Sequence, residues 1–220
     1  MARVCGRYAL DVPGRALHDA FDIKAPIIEF SPRYNIAPSQ RVPVVVKVAD
    51  VAFEWMRWGL INPKSQRQPV RAHINARVET ITQLPAFRHA YAKRRCLVPA
   101  TGFYEWAGSA KPKTPMYIHR PSRELFAFAG LWEPSLDPAR PEPTFCIVTT
   151  EARGGIEAIH ARMPVVISDL DYDRWLAASE PMSPHTLARR SIDSFAMYPV
   201  SLHVNSPRVD DAACIAPAAV

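Results

Sequence analysis

The chain has 220 residues, of which 48% are hydrophobic and 22% are charged, and it carries a formal net charge of +6 at pH 7. This length and balance are typical of one globular domain with a substantial core. No apolar run approaches the ~20 residues that a transmembrane helix needs, which excludes a helical membrane protein. The basic balance suits a polyanionic partner but does not indicate which one.

The four cysteines are widely spaced and form no Cys-x-x-Cys pair, which argues against a zinc ribbon or a redox motif. They are Cys5, Cys96, Cys146 and Cys214. We therefore expect no metal and no organic cofactor. The first residues show no secretory signal, so we expect a cytoplasmic protein, associated with the nucleoid if the source is bacterial.

Apolar periodicity predicts strands that predominate over irregularly placed short helices. In chain order these are a helix over 14–21, strands over 42–48 and 51–60, a helix over 86–95, strands over 96–106, 114–120, 125–133 and 144–150, a helix over 154–160, a strand over 163–168, helices over 169–178 and 183–190, and a strand over 195–204. Ser168 and Ser183 are candidate N-caps of the last two helices.

These elements predict one α+β domain with a large, curved, mainly antiparallel and barrel-like β-sheet, flanked by short helices. We expect the domain to cover residues 5–210, with 211–220 as a tail and 1–4 as a start-site artefact or a processed leader. The 22 prolines are scattered through the connections. No internal repeat, Walker A loop or dinucleotide-binding glycine triplet is present.

Four stretches combine polar groups with stiff or aromatic neighbours in a way that surface loops do not usually require. They are CGRY at Cys5, HINARVET at His73, TGFYEW at Thr101 and IHARMP at Ile159. Glu105 lies between two aromatics and is either a solvent-facing carboxylate or a proton shuttle with a raised pKa. His160 is either a capping histidine or a catalyst. Asn75 and Arg77 share one face if their segment is a strand, and otherwise mark an edge or a bulge.

Taken together and in order, these motifs resemble those of the SOS response-associated peptidase (SRAP) family over nearly the whole chain. The resemblance also rests on PRYNIAPSQ, RWGLINP, FRHAYAKRRCLVPATGFYEW, FAGLWE, FCIVTTEAR and YPVSLHVNSPRVDD. It implies a sensor of abasic sites in single-stranded DNA that forms a covalent DNA–protein crosslink. In that family an N-terminal cysteine forms a Schiff base through its α-amine and then closes a thiazolidine with its thiolate.

The resemblance also implies a role for each matching residue. Cys5 would be the nucleophile, and Glu105 would move protons at the amine and at the departing hydroxyl. Asn75 would orient the reacting end, and His160 would assist opening of the sugar ring and protonation of the Schiff base.

A second set of residues would hold the DNA. Arg77 and Arg162 would bind the phosphates that flank the lesion, a task suited to the planar guanidinium. The candidates for stacking on bases or wedging beside the abasic gap are Asn35, Pro38, Trp58 and Trp106. The two tryptophans fit a place in the core equally well.

The chain departs from the family pattern at its start, because residues 1–4 precede the cysteine that should follow the initiator methionine. Three explanations are open. Translation starts at Val4, or the protein removes residues 1–4 itself by attack of Cys5 on the preceding carbonyl, or the residues stay and Cys5 forms no thiazolidine.

Two other functions fit parts of the sequence. A thiol peptidase acting in trans would use Cys5 as nucleophile and His160 as base. A non-covalent single-stranded DNA binding module would use the arginines and tryptophans alone. In each case we expect a monomer without a membrane partner.

Overall fold

A computed structural model describes residues 5–63, 72–109, 112–177 and 180–218. Its strands are β1 (Tyr8–Leu10), β2 (Arg33–Ile36), β3 (Arg41–Lys47), β4 (Val51–Trp58), β5 (Asn75–Arg77), β6 (Arg95–Ala100), β7 (Gly102–Ala107), β8 (Thr114–His119), β9 (Phe126–Glu133), β10 (Thr144–Glu151), β11 (Arg162–Pro164), β12 (Val166–Ile167) and β13 (Ala196–Pro199). The α-helices are α1 (Gly14–Ala20), α2 (Arg88–Lys93), α3 (Tyr172–Leu176) and α4 (Pro184–Arg190), and short 3-10 helices cover Ile156–Ala158, Asp169–Asp171, Leu202–Asn205 and Ala212–Cys214.

The strands form two sheets, and most of their pairings are antiparallel. The first sheet has the order β13-β8-β7-β1-β2, and the second has the order β11-β10-β4-β3-β6-β9-β12 with β5 added on β10. In the second sheet β9 also pairs with β10, so the pairings among β10, β4, β3, β6 and β9 close into a ring. This confirms the predicted α+β class with a curved, mainly antiparallel sheet; β10 runs parallel to both β4 and β5.

The central residues of β3 are all buried, and since successive side chains of a strand point to opposite sides, both faces of the second sheet are covered there. Val44 and Val46 of β3 belong to a core cluster shared with Tyr8 of the first sheet. Val45, between them, belongs to a second cluster that includes Trp175 of α3. The second sheet therefore packs against the first sheet and α1 on one face and against α2, α3 and α4 on the other.

Several predicted elements break at particular residues. The strand predicted over 96–106 is divided at Thr101, whose N–H donates to the Ala9 carbonyl of the neighbouring strand at 2.9 Å.

Ser183 caps α4 as predicted, since its hydroxyl accepts the Thr186 N–H at 3.1 Å. Ser168 also occupies the predicted N-cap position, but the helix that follows it begins as a 3-10 turn and the serine side chain makes no capping hydrogen bond.

The carboxyl-terminal part of the chain is packed rather than frayed up to residue 218. The strand predicted over 195–204 ends at Pro199, and Val200 forms an isolated bridge with Pro217. The Ala218 N–H donates to the Pro199 carbonyl at 2.9 Å. Within the described ranges, no helix is long and apolar enough to cross a membrane.

Candidate active site

Cys5 and Glu105 meet because β1 and β7 are antiparallel neighbours. Tyr8 pairs with Phe103, so the chain before Tyr8 runs beside the residues that follow Phe103. The backbone nitrogen of Cys5 lies 2.7 Å from Oε1 of Glu105, to which it donates a hydrogen bond. The two residues are 100 positions apart in the chain, and their contact agrees with the proton transfer between them that the resemblance implies.

Burial sets the protonation of both side chains. Glu105 is only 2% exposed, and this burial raises its pKa to about 7, against the opposing effects of the Cys5 N–H and the Lys113 charge. Burial also raises the pKa of the Cys5 thiol well above its ordinary value, and the negative charge of Glu105 raises it further. At neutral pH the carboxyl group therefore exchanges its proton readily, whereas the thiol stays protonated.

Arg7 fixes the segment that leads from Cys5 into β1. Its guanidinium donates to Oδ1 of Asn35 at 2.7 Å, to the Val204 carbonyl, and to the Asn205 carbonyl at 3.0 Å. These bonds join β1 to β2 and to the 3-10 helix at Leu202–Asn205. The start of β1 is thus held from two sides.

A second group of polar residues lies on the two strands that flank the end of β10. On one side β5 pairs with β10 in parallel, with Asn75 opposite Ile147 and Arg77 opposite Thr149. On the other side β11 pairs with β10 in antiparallel register. The segment of Asn75 and Arg77 is therefore extended, with the fully buried Ala76 between them pointing to the other face.

His160 lies two residues before the start of β11, and its ring is held by the backbone of Arg162. Nδ1 of His160 lies 3.1 Å from both the Arg162 nitrogen and the Arg162 carbonyl oxygen. In the neutral ring with its proton on Nε2, Nδ1 accepts the Arg162 N–H; in the charged ring, Nδ1–H donates to the carbonyl. Either protonation state has a partner, which suits a residue that gives and takes a proton.

The Arg162 side chain makes a bidentate ion pair with Glu79, a residue that the sequence had not singled out. The two guanidinium nitrogens lie 2.6 and 2.9 Å from the two carboxylate oxygens. One of them also donates to the Thr149 carbonyl at 2.8 Å. Burial raises the pKa of Glu79, but its hydrogen bonds, with those from Arg162 foremost, hold it below the ordinary value.

Both halves of the site are built on the same hydrophobic cluster. Cys5 and Tyr8 enter it from the first sheet, and Ile147, Ile156 and Met163 enter it from β10 and from either side of His160. Among the described residues, His, Cys, Asp and Glu side chains form no group of three that could hold a metal ion.

Comparison with known proteins connects this arrangement to a family. The model of the SOS response associated peptidase (SRAP) family matches residues 4–207. The chain belongs to this family. It is 38% identical to the abasic site processing protein YoaM of Bacillus subtilis over 95% of the chain and 96% of that protein. It is 36% identical to YoqW of the same organism, also named an abasic site processing protein, over 93% of the chain and 96% of that protein.

A solved structure of a Bacteroides thetaiotaomicron protein has the same fold. The TM-score is 0.84 at 23% identity, and the match covers 98% of this chain and 100% of that one. The SRAP fold therefore extends over almost all of the chain.

Two residues that the resemblance suggested for DNA contact are buried in this SRAP domain. Trp58 is 1% exposed, stacks on Phe145 with ring centroids 6.3 Å apart, and donates its indole N–H to the Ile74 carbonyl at 2.9 Å. It is a core residue that holds the chain next to Asn75. The sequence left two places open for Trp58, contact with DNA bases or the core, and the structure places it in the core.

Asn35 likewise has its side chain occupied inside the protein, and the structure corrects its suggested contact with bases. It is 0% exposed, and its amide nitrogen donates to the carbonyls of Val204, Ser206 and Val209 at 3.2, 2.9 and 2.7 Å. A base cannot reach it without opening these bonds. Asn35 instead ties β2 to the segment that follows β13.

The other two suggested DNA contacts lie nearer the surface. Trp106 is half-buried and donates its indole N–H to Oδ1 of Asn205 at 2.7 Å. Pro38 is half-buried in the turn between β2 and β3. Contact of either residue with a base stays a prediction.

Proposed function

We propose that this chain processes abasic sites in single-stranded DNA by forming a covalent crosslink through Cys5. The observation that carries the proposal is the hydrogen bond from the Cys5 nitrogen to a buried Glu105 carboxyl group whose pKa is near 7. Two curated relatives that match nearly the whole chain are named abasic site processing proteins. We infer that the protein acts as a monomer in the cytoplasm.

The reaction takes two steps. The α-amine of Cys5 adds to the aldehyde of the ring-opened sugar, and loss of water gives a Schiff base. The thiol then adds across the C=N bond. A bond forms between sulfur and carbon, the C=N double bond becomes a single bond, and the nitrogen gains a proton in place of the one that the thiol loses. The five-membered ring closes between atoms already held on one residue, which gives a large effective molarity.

The protonation states support amine attack before thiol attack. The Cys5 thiol is protonated at neutral pH because it is buried, whereas its nitrogen faces a group that can accept a proton. Glu105 then takes the proton from the attacking amine and returns it to the departing hydroxyl. Asn75 orients the sugar, and His160 assists ring opening and protonates the Schiff base.

This chemistry requires an amine on Cys5 that is not part of a peptide bond. We therefore infer that the reactive form begins at Cys5, either through initiation at Val4 or through self-cleavage after that residue. The two routes predict different results for Cys5→Ala. Only self-cleavage needs the thiol, so only in that case would the variant keep the residues before position 5.

DNA is held by phosphate contacts to Arg77 and Arg162, on strands that both pair with the end of β10. Trp106 and Pro38 offer nearby surface for a base. The net charge of +6 favours a polyanion over a peptide. The protonated state of the Cys5 thiol also counts against a peptidase that acts on other chains.

The test is the denatured intact mass of the protein, made from its native upstream region, before and after mixing with an oligonucleotide that carries one abasic site. We expect a starting mass that begins at Cys5 and a new species equal to protein plus DNA minus one water. The controls are the same oligonucleotide without the lesion and Cys5→Ala. A protein that begins at Cys5 but forms no DNA-linked species would overturn the proposal.

A further inference from the structure

The phosphate-binding role proposed for Arg162 meets an obstacle in the structure, because Glu79 already occupies its guanidinium. The pairing joins both carboxylate oxygens to two guanidinium nitrogens at 2.6 and 2.9 Å. Such a fork-to-fork arrangement is the one that a phosphate would make with the same group. The carboxylate thus stands where a DNA phosphate would bind.

The ion pair is asymmetric in its exposure. The Arg162 side chain is only 12% exposed, whereas that of Glu79 is 43% exposed. The Arg162 guanidinium also donates a hydrogen bond to the backbone carbonyl of Thr149 at 2.8 Å. Glu79 can therefore turn out into solvent while Arg162 stays in place.

Arg77 acts on the same carboxylate. Its charge, together with that of Arg162, contributes to the lowered pKa of Glu79. Glu79 consequently stays ionised at neutral pH and offsets part of the positive charge of both arginines. Arg77 and Arg162, the two residues proposed to hold phosphates, thus both interact with the Glu79 carboxylate.

We propose that Glu79 is an internal competitor for the DNA phosphate, which must displace its carboxylate from Arg162 when DNA binds. This inference rests on the proposed function for the phosphate role of Arg162. The competitor weakens capture of any single strand, because part of the phosphate's attraction is spent on breaking an existing ion pair. It acts before the covalent step and does not touch the reacting atoms.

The chain offers a matched control on the neighbouring strand. Glu151 is the cross-strand partner of Arg162 in the β10–β11 register, yet the ion pair of Arg162 is made with Glu79. Glu79→Gln and Glu151→Gln each remove one negative charge from the same region. Only the first removes the charge that is bonded to Arg162.

The experiment measures binding of each variant to an undamaged single-stranded oligonucleotide over a range of salt concentrations, so that the covalent step plays no part. We expect Glu79→Gln to bind roughly three- to tenfold more tightly, with a log–log salt slope steeper by about 0.7, and Glu151→Gln to change affinity less than about twofold. Adding Arg162→Gln to Glu79→Gln should abolish the gain. Thermal unfolding of each variant checks that the fold is kept.

Three results would overturn the competitor role. They are equal gains in Glu79→Gln and Glu151→Gln, wild-type affinity and slope in Glu79→Gln, and weaker binding in Glu79→Gln, which would make Glu79 a support for Arg162. The wild-type crosslink to an abasic oligonucleotide is measured separately. If that crosslink forms while Glu79→Gln binds like wild type, the competitor role fails and the proposed function stands.

Discussion

The Cys5 nitrogen and the Glu105 carboxyl group are hydrogen-bonded at 2.7 Å inside the protein, and neither residue is more than 2% exposed. A carboxyl group with a pKa near 7 is suited to both accepting and returning a proton at neutral pH. This relationship underlies the first three predictions.

Replacement of Glu105 by glutamine should slow crosslinking by about 10²–10⁴-fold, because the amide cannot accept the amine proton. The shape of the side chain is kept, so the fold should persist. Single-turnover crosslinking measured on denaturing gels, from pH 5 to pH 9, checks both points. The wild-type rate should show a titration near pH 7 that the variant lacks, and a variant with the wild-type rate would remove Glu105 from the mechanism.

Glu105 should also make the stability of the full chain depend on pH. Its pKa is about 7 in the folded protein, whereas an unfolded glutamate has a pKa of ~4.3, so the folded state binds the proton more tightly. That contribution is fully present below about pH 4.3 and is lost as the pH rises through 7. Between pH 5 and pH 8, wild type should therefore lose up to about 3 kcal/mol relative to Glu105→Gln. Urea unfolding at the two pH values measures this, and a constant difference would contradict it.

Cys5→Ser should separate the two chemical steps. The α-amine is kept in a chain that begins at residue 5, so a Schiff base with abasic DNA should still form. Ring closure should fail because a hydroxyl is a far weaker nucleophile than a thiolate. The link should survive denaturation only after reduction with borohydride, whereas the wild-type link should need no reductant. A stable link in the variant without reductant would show that the thiol is not required.

Asn35→Ala should destabilise the protein by about 2–3 kcal/mol, since it leaves the half-buried Arg7 guanidinium and several carbonyls without their Asn35 partner. Trp106→Ala is the contrasting change, because Trp106 is half-buried beside Asn205. It should weaken single-stranded DNA binding by about 1–3 kcal/mol if a base stacks there. Denaturant midpoints and binding isotherms of both variants distinguish support of the fold from contact with DNA.

The long strands could be predicted from sequence because their apolar runs are continuous, as in Arg41–Lys47 and Phe126–Glu133. The sequence does not predict the three-residue strand at Tyr8 and leaves the one at Asn75 open, since so short a segment gains its conformation from its partners rather than from its own pattern.

The candidate site was also predictable only in part, because local motifs suggest its residues but not the contacts that they make. Motif resemblance suggested Cys5 and Glu105, but nothing local indicates that Asn35 is enclosed or that Glu79 binds Arg162. Both facts depend on contacts between residues far apart in the chain, 83 positions in the second case. A pattern of neighbouring residues contains no information on such pairings.

The bonds of Arg7 and Asn35 to residues 204–209 have a consequence for the order of events in the cell. Asp210 adds to them by accepting the N–H groups of Tyr34 and Asn35 at 2.6 and 2.8 Å. The segment at the start of β1 is therefore secured by residues almost 200 positions later in the chain. A nascent chain would carry Cys5 without this support until residues 204–210 have been synthesised, so the surroundings of Cys5 are complete only after that segment has folded back onto β1 and β2.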